Sequence, residues 1–435
     1  MERFALSRMK EWKENENRKP LIIRGARQVG KTWIMKTFGQ QYFEKTAYVN
    51  FDNNARMKQV FEGDLDIERL VLAISAETGV SIEAENTLII FDEIQEVPKA
   101  LTSLKYFHEN APQYAIVAAG SLLGVALHQG TSFPVGKVDF LDLYPLNFRE
   151  FLCAMGEKQF VSMLDSCDTQ MVTVFKTKYI ERLREYYFVG GMPEVVKDFS
   201  GKKDYNRVRV IQKNLINYYQ QDFSKHAEIK LVPRLNLVWN SIPMQLAKEN
   251  KKYIYGQVRE GSRAKDFELA IQWLLDCGLI HKVQRIQKPD LPLKAYIDFD
   301  AFKLFLVDIG LLIAMTDLDA KVIIEGNKIF TEFKGALTEQ YILQQLISDV
   351  GVIPYYYSTQ NSKGEIDFLV QGKTSVIPIE VKAEENLKAK SLKAFCEKYQ
   401  PSYAVRTSMS DYREQDWMTN IPLYAIKWIE NYVNQ

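Results

Sequence analysis

Residues 21–32 constrain this chain more than any other stretch. Leu21, Ile22 and Ile23 form a short apolar run, and after Arg24 the residues Gly25-Ala26-Arg27-Gln28-Val29-Gly30-Lys31-Thr32 keep the spacing G-x-x-x-x-G-K-[ST]. A buried parallel strand, a glycine loop and a helix opening near Trp33-Ile34-Met35 are expected in that order. Such a loop turns successive backbone N–H groups and the helix N-terminus toward one point, where a phosphate chain is held. All eight loop residues are expected to bind the nucleotide. Lys31 is placed to reach the outer phosphate oxygens, and Thr32 to offer its hydroxyl to Mg²⁺.

A second apolar run, Leu88-Ile89-Ile90-Phe91, ends in Asp92-Glu93. Four apolar residues in a row read as a strand buried on both faces, and parallel sheets bind ligands at the C-terminal ends of their strands. Asp92 is therefore a candidate Mg²⁺ ligand, directly or through water. Glu93 is the candidate base for the water that cleaves the terminal phosphate. A third run, Tyr114-Ala115-Ile116-Val117-Ala118-Ala119, leads to Gly120-Ser121. Ser121 either holds the attacking water or caps the next helix.

The phrases GARQVGKT, IIFDEIQEVP, AAGSLLG, LYPLNFREF and YFVGGMPEVV resemble those of a prokaryotic AAA+-type ATPase family. In that family the C-terminal half is a domain of unknown function ending in a restriction-endonuclease-like fold. The resemblance implies ATP and Mg²⁺ as cofactors, catalytic roles for Lys31, Glu93 and Ser121, and the sensor 1 position for Ser121. Relatives carry Gly-Arg shortly before the Pro-Leu-rich segment, whereas this chain has Gly136-Lys137. An ammonium does not reproduce a planar guanidinium fork, so an arginine finger would have to come from elsewhere, with Arg149, Arg182 and Arg184 as candidates.

Composition sets limits. The 435 residues suffice for two to four domains, and 46% hydrophobic with 26% charged content is that of a soluble globular protein. A net charge of +1 excludes neither nucleic acid nor protein as partner but argues against a uniformly basic coat, so any nucleic-acid contact needs a local patch. Cys153, Cys167, Cys277 and Cys396 lack metal-ligand spacing with one another or with His108, His128, His226 and His281, which argues against a zinc or disulfide framework. No apolar signal core follows Met1-Glu2-Arg3-Phe4. The longest apolar stretch, 114–127, is interrupted and too short to span a bilayer. A cytoplasmic protein without membrane contact is expected.

The expected fold class is α/β, with four parts. A P-loop NTPase (AAA+-like) core over 1–150 alternates helices with strands near 47–51, 88–92 and 114–120, preceded by an amphipathic helix over 4–17. A helical lid over 151–225 breaks at Gly190-Gly191-Met192-Pro193, with Tyr186, Tyr187 and Phe188 as core. A winged-helix-like domain over 226–300 shows helix, Gly278 and strand in sequence through 267–283. Lys248, Lys251, Lys252, Arg259, Arg263 and Lys265 precede that unit and are candidates for phosphate-backbone contact. No internal repeat stands out.

Over 301–435 the pattern is helix (332–348), strands (355–359, 365–370, 376–382), helix (388–399) and strand (402–406). This order resembles the PD-(D/E)xK nuclease core. Its motif falls on Asp367, Glu380 and Lys382, with Glu339 on the first helix. A period of two puts Glu380 and Lys382 on one strand face, where acids can bind Mg²⁺ and the lysine can steady a phosphodiester in reaction. The alternative is an inherited fold whose acids form a salt bridge with Lys382 or lie on an edge facing water. Three functions therefore stand: an ATP-hydrolysing protein coupled to its C-terminal half, an ATP-gated nuclease on DNA or RNA, or a regulatory ATPase switch binding a protein partner. An oligomer is compatible with each.

Overall fold

The apolar runs read from the sequence become strands. This computed structural model describes residues 1–124, 133–248, 251–325, 331–359, 364–384 and 389–435, with the side chains of 331 and 332 left aside. His128, residues 125–127 of the apolar stretch 114–127 and the expected helix start at 388 lie outside the described residues. Two units divide the chain. One comprises Glu2–Tyr144 with Asp276–Leu279, the other Pro145–Leu275 with Ile280–Gln435.

The first unit is built on a five-stranded sheet in the order β2-β3-β4-β1-β5. Its strands are β1 (Leu21–Arg24), β2 (Lys45–Asn50), β3 (Thr87–Asp92), β4 (Ala115–Ala119) and β5 (Asp139–Asp142), and every neighbouring pair is parallel. All residues of β3 and β4 are buried, as an inner parallel strand with covered faces requires. Ile22, Ile89, Phe91 and Ile116 belong to one core with Phe51, Phe61 and Phe107. Phe51, Phe61 and Phe91 meet edge to face at 5.4–5.7 Å. The amphipathic helix is Ala5–Glu14 and buries Met9 and Trp12. The consequence for the site is positional. β4 stands between β1 and β3, so Ser121 falls between the glycine loop and the acidic pair.

The second unit carries an eight-stranded mixed sheet, β12-β13-β11-β10-β9-β8-β6-β7. Its strands are β6 (Ile280–Ile286), β7 (Ile297–Leu306), β8 (Tyr355–Ser358), β9 (Glu365–Gln371), β10 (Val376–Val381), β11 (Val405–Ser408), β12 (Arg413–Gln415) and β13 (Met418–Pro422). Strands β8, β9 and β10 run antiparallel in succession, and β11 lies parallel to β10 after the helix Lys390–Tyr399.

Three boundaries read from the sequence change. Helices span the expected lid, from Phe148–Ala154 to Tyr205–His226, but they belong to the second unit, and the break falls after Tyr144 instead of at 150. The boundary at 225 cuts the helix Tyr205–His226. The boundary at 300 cuts β7, which pairs antiparallel with β6. Helix Ala264–Asp276, Gly278 and β6 occur in the expected order, yet β6 is no free-standing wing, because Arg285 and Ile286 pair in parallel with Tyr356 and Tyr357 of β8.

The break at Gly190-Gly191 has a steric cause. A Cβ on Gly190 would come within 2.2 Å of Asp308 Oδ1, and one on Gly191 within 2.1 Å of the Leu146 carbonyl oxygen. Asp308 is fully buried and accepts from Gly191 N (2.6 Å), Leu311 N (3.1 Å) and Gln344 Nε2 (3.3 Å). Tyr186, Tyr187 and Phe188 are buried beside it, as core residues. Burial raises the Asp308 carboxyl to about 6 despite these donors. A carboxyl raised on folding contributes stability that is full below its unfolded value of about 3.9 and lost as pH rises through about 6. Asp308→Asn turns an amide donor toward native donors. It is expected to cost about 2–3 kcal/mol in denaturant unfolding and to remove this pH 4–6 slope; a loss under about 0.5 kcal/mol would show the carboxylate to be dispensable.

Candidate functional site

The glycine loop has the backbone that its sequence demands. Gly30 sits at φ 96°, in the left-handed region, and caps the helix Lys31–Tyr42. No side chain caps that helix, so its first N–H groups are left to a ligand. Gln28 also adopts a positive φ of 65°, a conformation that costs a non-glycine residue energy and here shapes the loop. Lys31 is buried, and its ammonium donates to the carbonyl oxygens of Gly25 and Ala26, both at 2.8 Å. Burial lowers its pKa to about 8, against the pull of Glu93 and Asp92.

Across from the loop, Thr32 Oγ1 donates to Asp92 Oδ2 at 2.7 Å. Glu93 follows in the left-handed region at φ 50°, at the end of β3. Glu93 Oε1 accepts from Ser121 Oγ (2.8 Å), and Oε2 from Ser121 N (3.2 Å) and Gln95 Nε2 (2.7 Å). Burial pushes the Glu93 carboxyl up, but hydrogen bonds from Gln95 and Ser121 with the charge of Lys31 outweigh it, leaving the pKa below the usual range. The carboxylate is thus held ionised.

Lys31, Thr32, Asp92, Glu93 and Ser121 therefore meet at the C-terminal ends of β1, β3 and β4. Tyr48 and Gln95 complete the site and escaped the sequence reading. Tyr48 reaches Asp92 from the neighbouring strand β2, whose register sets Asn50 opposite Asp92. Gln95 lies within the phrase IIFDEIQEVP, two residues beyond the Glu93 carboxylate to which it donates, and its amide was a readable signal.

The arginine candidates are engaged within their own unit. Arg149 pairs with Asp349 at 2.6 Å and with Asp165, Arg182 pairs with Glu157 at 2.7 Å, and Arg184 donates to the Ile324 carbonyl oxygen at 3.3 Å. Lys137 pairs with Glu109 at 3.0 Å.

A second polar cluster lies in the other unit. Glu339 on helix Thr331–Gln345, Asp367 on β9 and Glu380 on β10 approach one another closely enough that Glu339 and Glu380, after burial itself, push Asp367 well above the carboxylate range. Lys382 Nζ stands 2.7 Å from Glu380 Oε1. All four expected residues are thus brought together. Two further lysines join them. Lys251 pairs with Glu339 Oε1, which removes it from the lysines expected to meet a phosphate backbone. Lys303, fully buried on β7, lies 2.5 Å from Glu365 Oε1 and 3.5 Å from Glu339 Oε2. Three ammonium groups thus share the space with the acids. Among the described residues no group of three or more His, Cys, Asp or Glu is arranged to hold a metal ion.

With this geometry in place, three stretches of the chain show likenesses to known families. Residues 17–152 match the family described as an AAA domain. The match falls on the parallel sheet and the phosphate-binding loop of the first unit. Residues 180–322 and 334–426 match two families each described as a domain of unknown function, DUF8612 and DUF4143. No curated protein matches the chain. Among solved structures, the Walker-type ATPase PABY2304 of Pyrococcus abyssi is 15% identical over 72% of this chain and 95% of its own, with a TM-score of 0.44. The Aeropyrum pernix Orc1 protein in complex with DNA is 14% identical over 72% and 91%, with a TM-score of 0.27. Cdc6p from Pyrobaculum aerophilum is 10% identical over 72% and 92%, with a TM-score of 0.25. No helix among the described residues is long and apolar enough to cross a membrane.

Proposed function

We propose that this chain is a Mg²⁺-dependent ATPase whose nucleotide state governs its C-terminal half. The observation that carries the reading is the pair of short links Thr32–Asp92 (2.7 Å) and Ser121–Glu93 (2.8 Å), which join the loop, the acidic pair and β4 into one site. The Thr32 hydroxyl and the Asp92 carboxylate are hard oxygen ligands suited to Mg²⁺, which when bound neutralises phosphate charge. The loop N–H groups and Lys31 hold the phosphates. Glu93 orients the attacking water and takes its proton as the water oxygen bonds to the terminal phosphorus and the bond to the bridging oxygen breaks. Ser121 and Gln95 keep that carboxylate aimed. The test is nucleotide binding by calorimetry and ATP turnover with and without Mg²⁺; a purified, folded protein that binds no ATP rejects the reading.

In the C-terminal cluster the charge pairing supports a non-catalytic module. With Lys251, Lys303 and Lys382 on the acids, the residues as they stand do not fit a divalent cation, and we assign no cleavage step to them. One observation favours the rival, an ATP-gated nuclease: Glu380 Oε2 is buried without a hydrogen-bond partner among the described residues. The wild-type protein with Mn²⁺ and ATP is expected to leave DNA and RNA intact. Cleavage that disappears in Asp367→Ala and in Lys382→Ala would reverse this assignment.

A further inference from the structure

Asp92 carries an oxygen with two donors on it. Thr32 Oγ1 donates to Oδ2 at 2.7 Å, and Tyr48 Oη donates to the same oxygen at 2.9 Å. Its other oxygen, Oδ1, accepts from Glu93 N at 3.1 Å. Three donors on its two oxygens restrain the carboxylate.

The Tyr48 phenol is itself held. It projects from β2, the strand hydrogen-bonded to β3, and Lys36 on helix Lys31–Tyr42 places its ammonium 3.7 Å from the ring centroid. A cation over the ring draws electron density from the phenol and strengthens its O–H as a donor. Tyr48 lies outside the glycine loop and the acidic pair, and its link to the site runs through Asp92.

We infer that Tyr48 is a positioning residue that sets the affinity of the nucleotide site for Mg²⁺ by holding the Asp92 carboxylate in one orientation. The inference rests on the ATPase reading and deepens it. Thr32 has two tasks, toward the cation and toward Asp92, whereas Tyr48 has only the second. Its phenol keeps Oδ2 fixed whatever Thr32 does. A carboxylate fixed by protein donors loses little freedom when a cation arrives, and this is where the affinity comes from.

The experiment is a Mg²⁺ titration of ATP turnover in the wild type, Tyr48→Phe and Lys36→Met. Affinity for ATP in excess chelator is measured alongside by calorimetry. Tyr48→Phe is expected to raise the half-saturating Mg²⁺ about tenfold, the worth of one hydrogen bond to a charged group. Its chelator-state ATP affinity should stay within about twofold of wild type, since Tyr48 donates to Asp92 and lies outside the phosphate loop. Lys36→Met should shift the Mg²⁺ requirement the same way by a smaller factor. An unchanged Mg²⁺ requirement in Tyr48→Phe overturns the inference, and so does an equal loss of Mg²⁺-free ATP affinity, which would mark a general structural role. A wild-type protein that neither binds nor turns over ATP removes the ATPase reading itself, an outcome distinct from either.

Discussion

Replacing Glu93 with glutamine is expected to slow ATP turnover at least about a hundredfold while leaving ATP binding within about twofold. The size follows from the role. A general base contributes roughly 10²–10⁴ to rate, and an amide cannot accept a proton at neutral pH. Binding should survive because the loop and Lys31, proposed to hold the phosphates, do not depend on the Glu93 charge for their shape. The local cost is small but real. Glu93 now accepts from Gln95 Nε2 and from both the N–H and the hydroxyl of Ser121, and an amide nitrogen in place of one oxygen faces at least one of those donors. A rotated side chain or a turned Gln95 relieves the conflict. Single-turnover kinetics with radiolabelled ATP separate the two effects. Turnover within threefold of wild type would remove Glu93 from the reaction.

Lys31→Ala is expected to weaken ATP binding by roughly a hundredfold, the cost of removing a buried charge from its phosphate partner. A pH arm makes the test specific. In the empty site burial holds the Lys31 pKa down to about 8, with Glu93 and Asp92 limiting the drop. Bound phosphate favours the charged form, so above pH 8 the site must take up a proton to bind. Wild-type affinity should then fall about tenfold per pH unit, and this slope should vanish in Lys31→Ala. Calorimetry in buffers of different ionisation enthalpy reads the proton uptake directly. A flat wild-type profile from pH 7 to 9.5 would show that the lysine stays charged in the empty loop.

What the sequence made legible follows physical lines. Strands β3 and β4 were readable because an inner parallel strand buries both faces and leaves an unbroken apolar run. Strand β5 was not. Asp139-Phe140-Leu141-Asp142 is an edge strand with an acid at either end, and no apolar run marks it. Lys31, Thr32, Asp92 and Glu93 were legible because their spacing along the chain is dictated by one loop and one strand end. Tyr48 was not, since it meets Asp92 through the register of two strands separated by about forty residues. Lys303 did leave a trace. A lysine inside Ala301-Phe302-Lys303-Leu304-Phe305-Leu306 has to find a counter-ion when the strand is buried, though the run itself does not name Glu365. The parallel pairing of β6 with β8, which draws the expected wing into the larger sheet, joins residues some seventy positions apart and has no local signature.

The two carbonyl oxygens that receive the Lys31 ammonium bear on how such a site empties. When spent nucleotide departs, a cation enclosed by protein would be stranded if nothing nearby accepted its protons. Here Gly25 and Ala26 accept them at once, within the same turn of chain. On the proposed ATPase reading, discharge and reloading would be an exchange of acceptors around the ammonium.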